Sequence, residues 1–162
     1  MRRSLRASFL DASFLAKVFA AEPHSDIARE YFRAASTKYT APFCFYEALN
    51  VLKSKWKFRG QLSKEQYFDA ALQLTAWYSS SAQPDDLDFS NPTVFAEARG
   101  IAQRHDLDLS DALQILIVKE GYFSSLAAGS RTLLVTADAG LVSAAKAEGV
   151  LAWNVTRDPE PE

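Results

Sequence analysis

Asp11, Glu47, Asp111 and Asp138 each stand where an element of regular structure begins or ends. Their contexts are Phe-Leu-Asp-Ala-Ser, Phe-Tyr-Glu-Ala-Leu-Asn, Leu-Ser-Asp-Ala-Leu-Gln and Leu-Val-Thr-Ala-Asp. Far apart in the chain, they can meet only through folding, and the pattern points to one assembled metal site. Two carboxylates about 4 Å apart repel by roughly 4 kcal/mol at an effective dielectric near 20. A cluster of three or four therefore calls for protons or cations, and oxygen-only ligands favour Mg2+ or Mn2+. Ser13 and Thr136 lie two residues from Asp11 and Asp138, where a hydroxyl can hold an acid or a water in place.

The segment Lys53-Ser54-Lys55-Trp56-Lys57-Phe58-Arg59 is the densest basic stretch. Its cations (Lys53, Lys55, Lys57, Arg59) can meet phosphates while Trp56 stacks on bases, or the lysines can be solvated while the aromatics pack. Other polar residues invite less. Asp85, Asp86 and Asp88 read as a solvated loop, and Asp106 and Asp108 as connecting-loop or cap residues, with Asp108 the substitute should one of the four acids fail. His24 and His105 lack the short spacing of a zinc pair. Cys44, between two phenylalanines, reads as a small buried hydrophobe.

These side chains must be positioned by an alternation of strands and helices. Strands are predicted at Leu5 to Leu10, Lys38 to Ala41, Arg131 to Thr136 and Val150 to Asn154. Helices are predicted from Asp11 or Ser13 to Ala21, Ser25 to Ala35, Phe43 to Phe58, Ser63 to Tyr78, Pro92 to His105, Ser110 to Phe123 and Ala139 to Glu148. Ser63 with Gln66 has the spacing of a capping box, and Arg59-Gly60 separates the two arms of a helical hairpin. Strands separated by helices imply a mostly parallel sheet covered on both faces, an α/β/α sandwich. Ligands of such sheets bind outside the carboxyl ends of the strands. Asp11, Glu47 and Asp138 fall at that rim, and Asp111 joins them if its helix starts there.

With 162 residues the chain suits one domain, expected over residues 1–156 with a frayed tail at 157–162. Hydrophobic residues at 48% and charged residues at 23% exclude a disordered chain. A net charge of −2 excludes the overall basic footprint of a non-specific nucleic-acid binder, so nucleic acid would be gripped by a local patch. Cys44 is the single cysteine, which removes intrachain disulfides and favours the cytoplasm. The opening Met1-Arg2-Arg3-Ser4-Leu5-Arg6 is similar to a twin-arginine export start. The apolar stretch after it is broken by Asp11 and Lys17, so it reads as a basic lead-in to a strand. No apolar run approaches the roughly 18 residues of a membrane span.

In these four contexts the chain resembles the PIN-domain ribonucleases, particularly the VapC toxins of bacterial toxin–antitoxin pairs, over about Ala7 to Val155. Asp11 with Ser13 is similar to the family's first-strand acid and its small polar neighbour, and Glu47 to its helix acid. Asp111-Ala112 matches the pair opening the helix before the penultimate strand, and Thr136-Ala137-Asp138 the threonine and acid after that strand. The resemblance implies that the quartet binds one or two Mg2+ or Mn2+ ions and cleaves RNA. It also implies a homodimer and a small antitoxin partner from an adjacent gene. Metal ions can acidify and orient water against a phosphodiester, so neither a histidine base nor a covalent nucleophile is needed.

Rival readings remain. Asp11 and Asp138 can be helix caps, Glu47 a solvated helix acid, and Asp111 a first-turn acid favoured by the helix dipole. A PIN nuclease of RNA processing differs from a toxin only in its setting. A non-enzymatic α/β signalling or adaptor domain could hold a structural cation, although the lysine expected of a phospho-receiver has no counterpart near Asp138. Phe14, Phe19, Tyr31, Phe32, Phe45, Tyr46, Trp56 and Phe58 are numerous enough within the first 60 residues to suggest an intermolecular face as well as a core.

Overall fold

The computed structural model describes residues 6–34, 36–124 and 131–162. The basic lead-in at residues 1–5, with Leu5 of the predicted first strand, and Ala35 at the predicted end of the second helix lie outside them. The elements run β1 (Ala7–Leu10), α1 (Ala12–Phe19), α2 (Ser25–Arg33), β2 (Thr37–Tyr39), α3 (Pro42–Lys57), α4 (Lys64–Ser80), α5 (Pro92–His105), α6 (Leu109–Glu120), β3 (Leu133–Thr136), α7 (Ala139–Ala147) and β4 (Leu151–Asn154). The sheet order is β2-β1-β3-β4, and every pairing among the described strands is parallel. The α/β class and the parallel sheet expected from the alternation are present.

The two central strands, β1 and β3, are buried along their whole length because both faces of the sheet are covered. Phe9 of β1 and Leu134 of β3 face one core with Ile101, Leu116 and Leu141 of α5, α6 and α7. Leu10, Leu133, Val135 and Trp153 face the other, against Phe14, Tyr31, Leu52 and Leu74 of α1 to α4. This two-residue alternation gives the three layers. Ser8 points to the second face and is fully buried, and its hydroxyl meets that of Tyr31 at 2.6 Å.

Local signals set the element ends. Helix α1 stops at Phe19, two residues before the predicted Ala21, because Ala20 already has extended backbone (φ −121°, ψ 148°). Helix α6 starts at Leu109, since Asp108 accepts from the Asp111 N–H at 2.8 Å, and it ends at Glu120 before Gly121. Helices α3 and α4 form the hairpin. Its turn uses Gly60 with φ 61°, and a full capping box links Ser63 and Gln66. The chain end lies against the fold: Trp153 donates to the Asp158 carbonyl at 3.0 Å, and Arg6 donates to the Pro161 carbonyl at 3.1 Å.

Of the eight early aromatics, Phe14, Tyr31 and Phe45 are buried, and Phe19 and Phe32 pack against the same core. Only Tyr46, 64% exposed, and Phe58, 80% exposed, are left open to solvent. Covering the second sheet face with four helices consumes most of the aromatic surface, so an excess for an intermolecular face is smaller than the count suggested. Among the described residues no helix is long and apolar enough to cross a membrane.

Replacing the capping serine, Ser63→Ala, should remove about 1 kcal/mol of stability, read as a lower urea midpoint with unchanged slope.

Candidate active site

Three connections deliver acids to the carboxyl edge of the sheet. Asp11 directly follows β1, and its N–H donates to the Val135 carbonyl at 3.0 Å, extending the β1–β3 ladder by one residue. Asp138 follows β3. Glu47 lies in the second turn of α3, whose start after β2 is set by Pro42 at its first position. Helix α6 begins on the same side and contributes Asp111. Asp11, Glu47, Asp111 and Asp138, together with Asp108, line one pocket of about 330 Å³.

Asp11 is 5% exposed and held from below. Its Oδ2 accepts from the Ser13 hydroxyl at 2.6 Å and from the Thr136 hydroxyl at 2.7 Å. Those hydroxyls in turn accept from the Ala137 and Asp138 N–H groups, each at 3.0 Å. Each hydroxyl has one proton, and both protons go to Asp11. The 3.1 Å approach of Ser13 Oγ to Thr136 Oγ1 is therefore a polar contact between two acceptors rather than a third bond. Although Asp11 occupies the N-cap position of α1, its side chain makes no capping bond. Capping does not account for it.

Asp138 does both jobs. Its Oδ1 accepts from Gly140 N at 2.8 Å and Leu141 N at 3.1 Å, capping α7, while the residue still lines the pocket. Asp108 likewise caps α6 and reaches the pocket.

The electrostatics report the crowding. Asp111 is pushed up to about 7, first by desolvation and then by the charges of Asp108, Asp11, Asp138 and Glu47. Glu47, open to water at the rim, is also raised, by partial desolvation and then by Asp11 and Asp108. Among the described residues no three acidic, His or Cys side chains are already drawn together as a cage. The carboxyls ring the pocket, and like-charge repulsion opposes closer approach. Their oxygen-only donor set nevertheless fits a hard divalent cation such as Mg2+ or Mn2+.

The basic stretch divides. Lys53, Lys57 and Arg59 are exposed, and Arg59 also lines the pocket. Trp56 stacks on Tyr67 with centroids 5.0 Å apart, and Lys57 Nζ sits 4.0 Å over the Trp56 ring. Lys55 departs from the expected exposed stripe: it is 7% exposed and ion-paired with Glu22. It continues the buried series Cys44, Ala48 and Leu52 at helical spacing, a signal that it faces inward. Lys17 and Glu22 were overlooked as pocket residues. Gln114, which does not line the pocket, was missed as a support: fully buried one turn after Asp111, it donates from Nε2 to Asp111 Oδ1 at 3.4 Å.

The other candidates lie apart from the pocket. Asp86 accepts from the Leu87 and Tyr122 N–H groups, Asp106 ends α5 with left-handed backbone, and His105 bonds Glu148 at 2.8 Å. Cys44 is buried, as expected.

A family model described as "PIN domain" matches residues 8–147. Among solved structures, PAE2754 from Pyrobaculum aerophilum is similar at a TM-score of 0.59 and 21% identity, over 91% of this chain and 90% of that one. A search of curated proteins gave no match.

The raised Asp111 carboxyl sets a pH dependence. From its ordinary value of about 3.8 up to about 7 the folded chain binds a proton that the unfolded chain has released. Stability in chelator should therefore be highest below that window and fall as pH rises through it. Asp111→Asn should flatten the fall and be more stable than the parent at pH 8. Urea titrations across the range check this, and superimposable profiles would remove Asp111 from the repelling group.

Proposed function

Since this chain belongs to the PIN-domain family, whose members are generally nucleases, we propose that it is a metal-dependent endoribonuclease, the cytoplasmic toxin of a toxin–antitoxin pair. The observation that carries the nuclease reading is the convergence of Asp11, Glu47, Asp111 and Asp138 on one pocket at the sheet edge. The family match spans all four. These residues would hold Mg2+ or Mn2+, which when bound supplies Lewis acidity to activate water and to neutralise charge on the phosphodiester.

The chain's own groups supply position. The Ser13 and Thr136 hydroxyls fix one oxygen of Asp11, leaving Oδ1 to face a ligand. Asp138 spends Oδ1 on the helix cap and keeps Oδ2 for the same purpose. Asp111, raised by burial and its neighbours, would have to give up its proton to serve as a ligand to such a cation. Lys53 and Lys57, exposed on α3, supply cations for an RNA strand approaching the pocket, with the aromatic group around Trp56 beside them.

The toxin reading rests on resemblance and on surface. Tyr46, Phe68 and Leu72 of the hairpin are 64%, 54% and 68% exposed, more than an isolated helix pair needs to show. They suit a second copy of the chain or a short antitoxin segment. An antitoxin cation placed among the carboxylates would compete with metal and RNA. Residues 1–156 form the proposed nuclease domain.

Purified Asp11→Asn and Asp111→Asn proteins should each lose most RNA cleavage with Mn2+ while keeping parental circular dichroism. Cleavage by both at the parental rate, with contaminating nuclease excluded, would remove the nuclease assignment. Millimolar Mn2+ should also raise the melting temperature of the parent more than that of either variant, because a ligand selective for the folded state stabilises by mass action. A parent melting temperature indifferent to Mn2+ would remove the cation from the pocket.

A further inference from the structure

The same pocket has a second wall of opposite sign. Lys17 of α1 and Lys55 of α3 converge on Glu22, in the turn before α2, and all three line the cavity with Arg59. Lys17 Nζ lies 3.2 Å from Glu22 Oε1, and Lys55 Nζ pairs with Oε2 of the same carboxylate. Lys17 also donates to the Pro23 carbonyl at 3.0 Å, and Lys55 to Gln61 Oε1 at 3.3 Å. The lysine side chains are only 13% and 8% exposed, so both are fixed and partly desolvated.

This arrangement is over-supplied with positive charge. One carboxylate can satisfy one buried ammonium in full, yet here it serves two. Arg59 adds a third cation with no acidic partner among the described residues. A structural ion pair needs no third cation, and the two poorly exposed lysines share a single negative charge. The acids elsewhere in the cavity call for a cation, whereas this end, with three cations on one carboxylate, calls for an anion such as a phosphate. The acid wall, with its proposed cation, would take one phosphate; a strand continuing across the cavity presents its next phosphate to the opposite side. At about 330 Å³ the space is near the lower end of ligand pockets.

We propose that Lys17, Lys55 and Arg59 form the subsite for the backbone phosphate next to the scissile one, with Glu22 holding the two lysines in place and tempering their charge. The subsite rests on the nuclease reading above and adds to it a direction: the strand runs from the carboxyl edge of the sheet towards the turn between α1 and α2. Arg59, exposed at the mouth, engages the phosphate directly. Lys17 and Lys55 act from fixed positions.

The test is steady-state cleavage of a short RNA by the full chain with Mn2+, at several salt concentrations. Arg59→Gln, at an exposed position that leaves the core untouched, should raise KM roughly tenfold, the scale of one lost charge-assisted contact, with a smaller change in kcat. It should also make the salt dependence of binding shallower by about one phosphate's worth of released counterion. Lys17→Met should act in the same direction. Glu22→Gln has the opposite sign: with the lysines released from their shared carboxylate, KM should fall and the salt dependence steepen. A purely structural cluster would instead lose stability on Glu22→Gln without tightening RNA. If Glu22→Gln proves too unstable to assay, the Arg59 result decides by itself. Parental KM and salt dependence in Arg59→Gln would overturn the subsite while leaving the nuclease reading intact. A parent that cleaves no RNA would overturn the nuclease reading itself.

Discussion

Mutual repulsion of carboxylates at the carboxyl edge of the sheet is the constraint around which the rest of the molecule is arranged. Three connections from the strands and the start of α6 bring acids to that edge, and the fold must pay for bringing them together. It does so by distributing the load. Asp138 and Asp108 each turn one oxygen onto helix N–H groups, and Glu47 remains open to water at the rim. Asp111 alone, half-buried and facing the other four, shows the full effect in its carboxyl near 7. The site is thus high in energy as an isolated set of anions, which is the condition under which a divalent cation gains most by binding.

The hydroxyl pair beneath Asp11 shows how sheet geometry reaches the site. Thr136 ends β3 and Ser13 begins α1, so their bonds to Asp11 Oδ2 lock the register of β1 against β3 to the orientation of one carboxylate. The backbone N–H groups of Ala137 and Asp138 occupy the acceptor side of each hydroxyl. Reorienting Asp11 would therefore disturb both loops. Across the cavity the Lys17–Glu22–Lys55 array similarly ties α1 to α3. A site framed by two such ties has its side chains oriented by the fold itself, as preorganised electrostatics require.

Much of this was legible in the sequence because the signals were local. Pro92 and His105 bounded α5, Ser63 with Gln66 announced the capping box, and the strand–helix alternation gave a parallel sheet whose acid-bearing ends had to share an edge. What escaped depended on which face of a helix turned inward. Lys55 looked like part of an exposed basic run, although its spacing from Cys44, Ala48 and Leu52 placed it on the buried stripe. Glu22 fell just past the predicted end of the first helix at Ala21, and its role exists only because α1 and α3 pack together. Gln114 offered no signal beyond a polar residue in the otherwise apolar run from Ala112 to Val118. The early aromatics misled for the same reason: their number was visible, but not that four helices on one sheet face would absorb most of them.

The most direct measurement of the central claim, that repelling carboxylates are what the pocket offers a cation, is the proton balance of metal binding. Mn2+ can be titrated calorimetrically into the metal-free chain near pH 6, in buffers of different ionisation enthalpy. There Asp111, near 7 in the fold, is largely protonated. The account predicts binding with release of a proton in the parent chain and a smaller release in Asp111→Asn. Binding without proton release, or no binding in either protein, would contradict it.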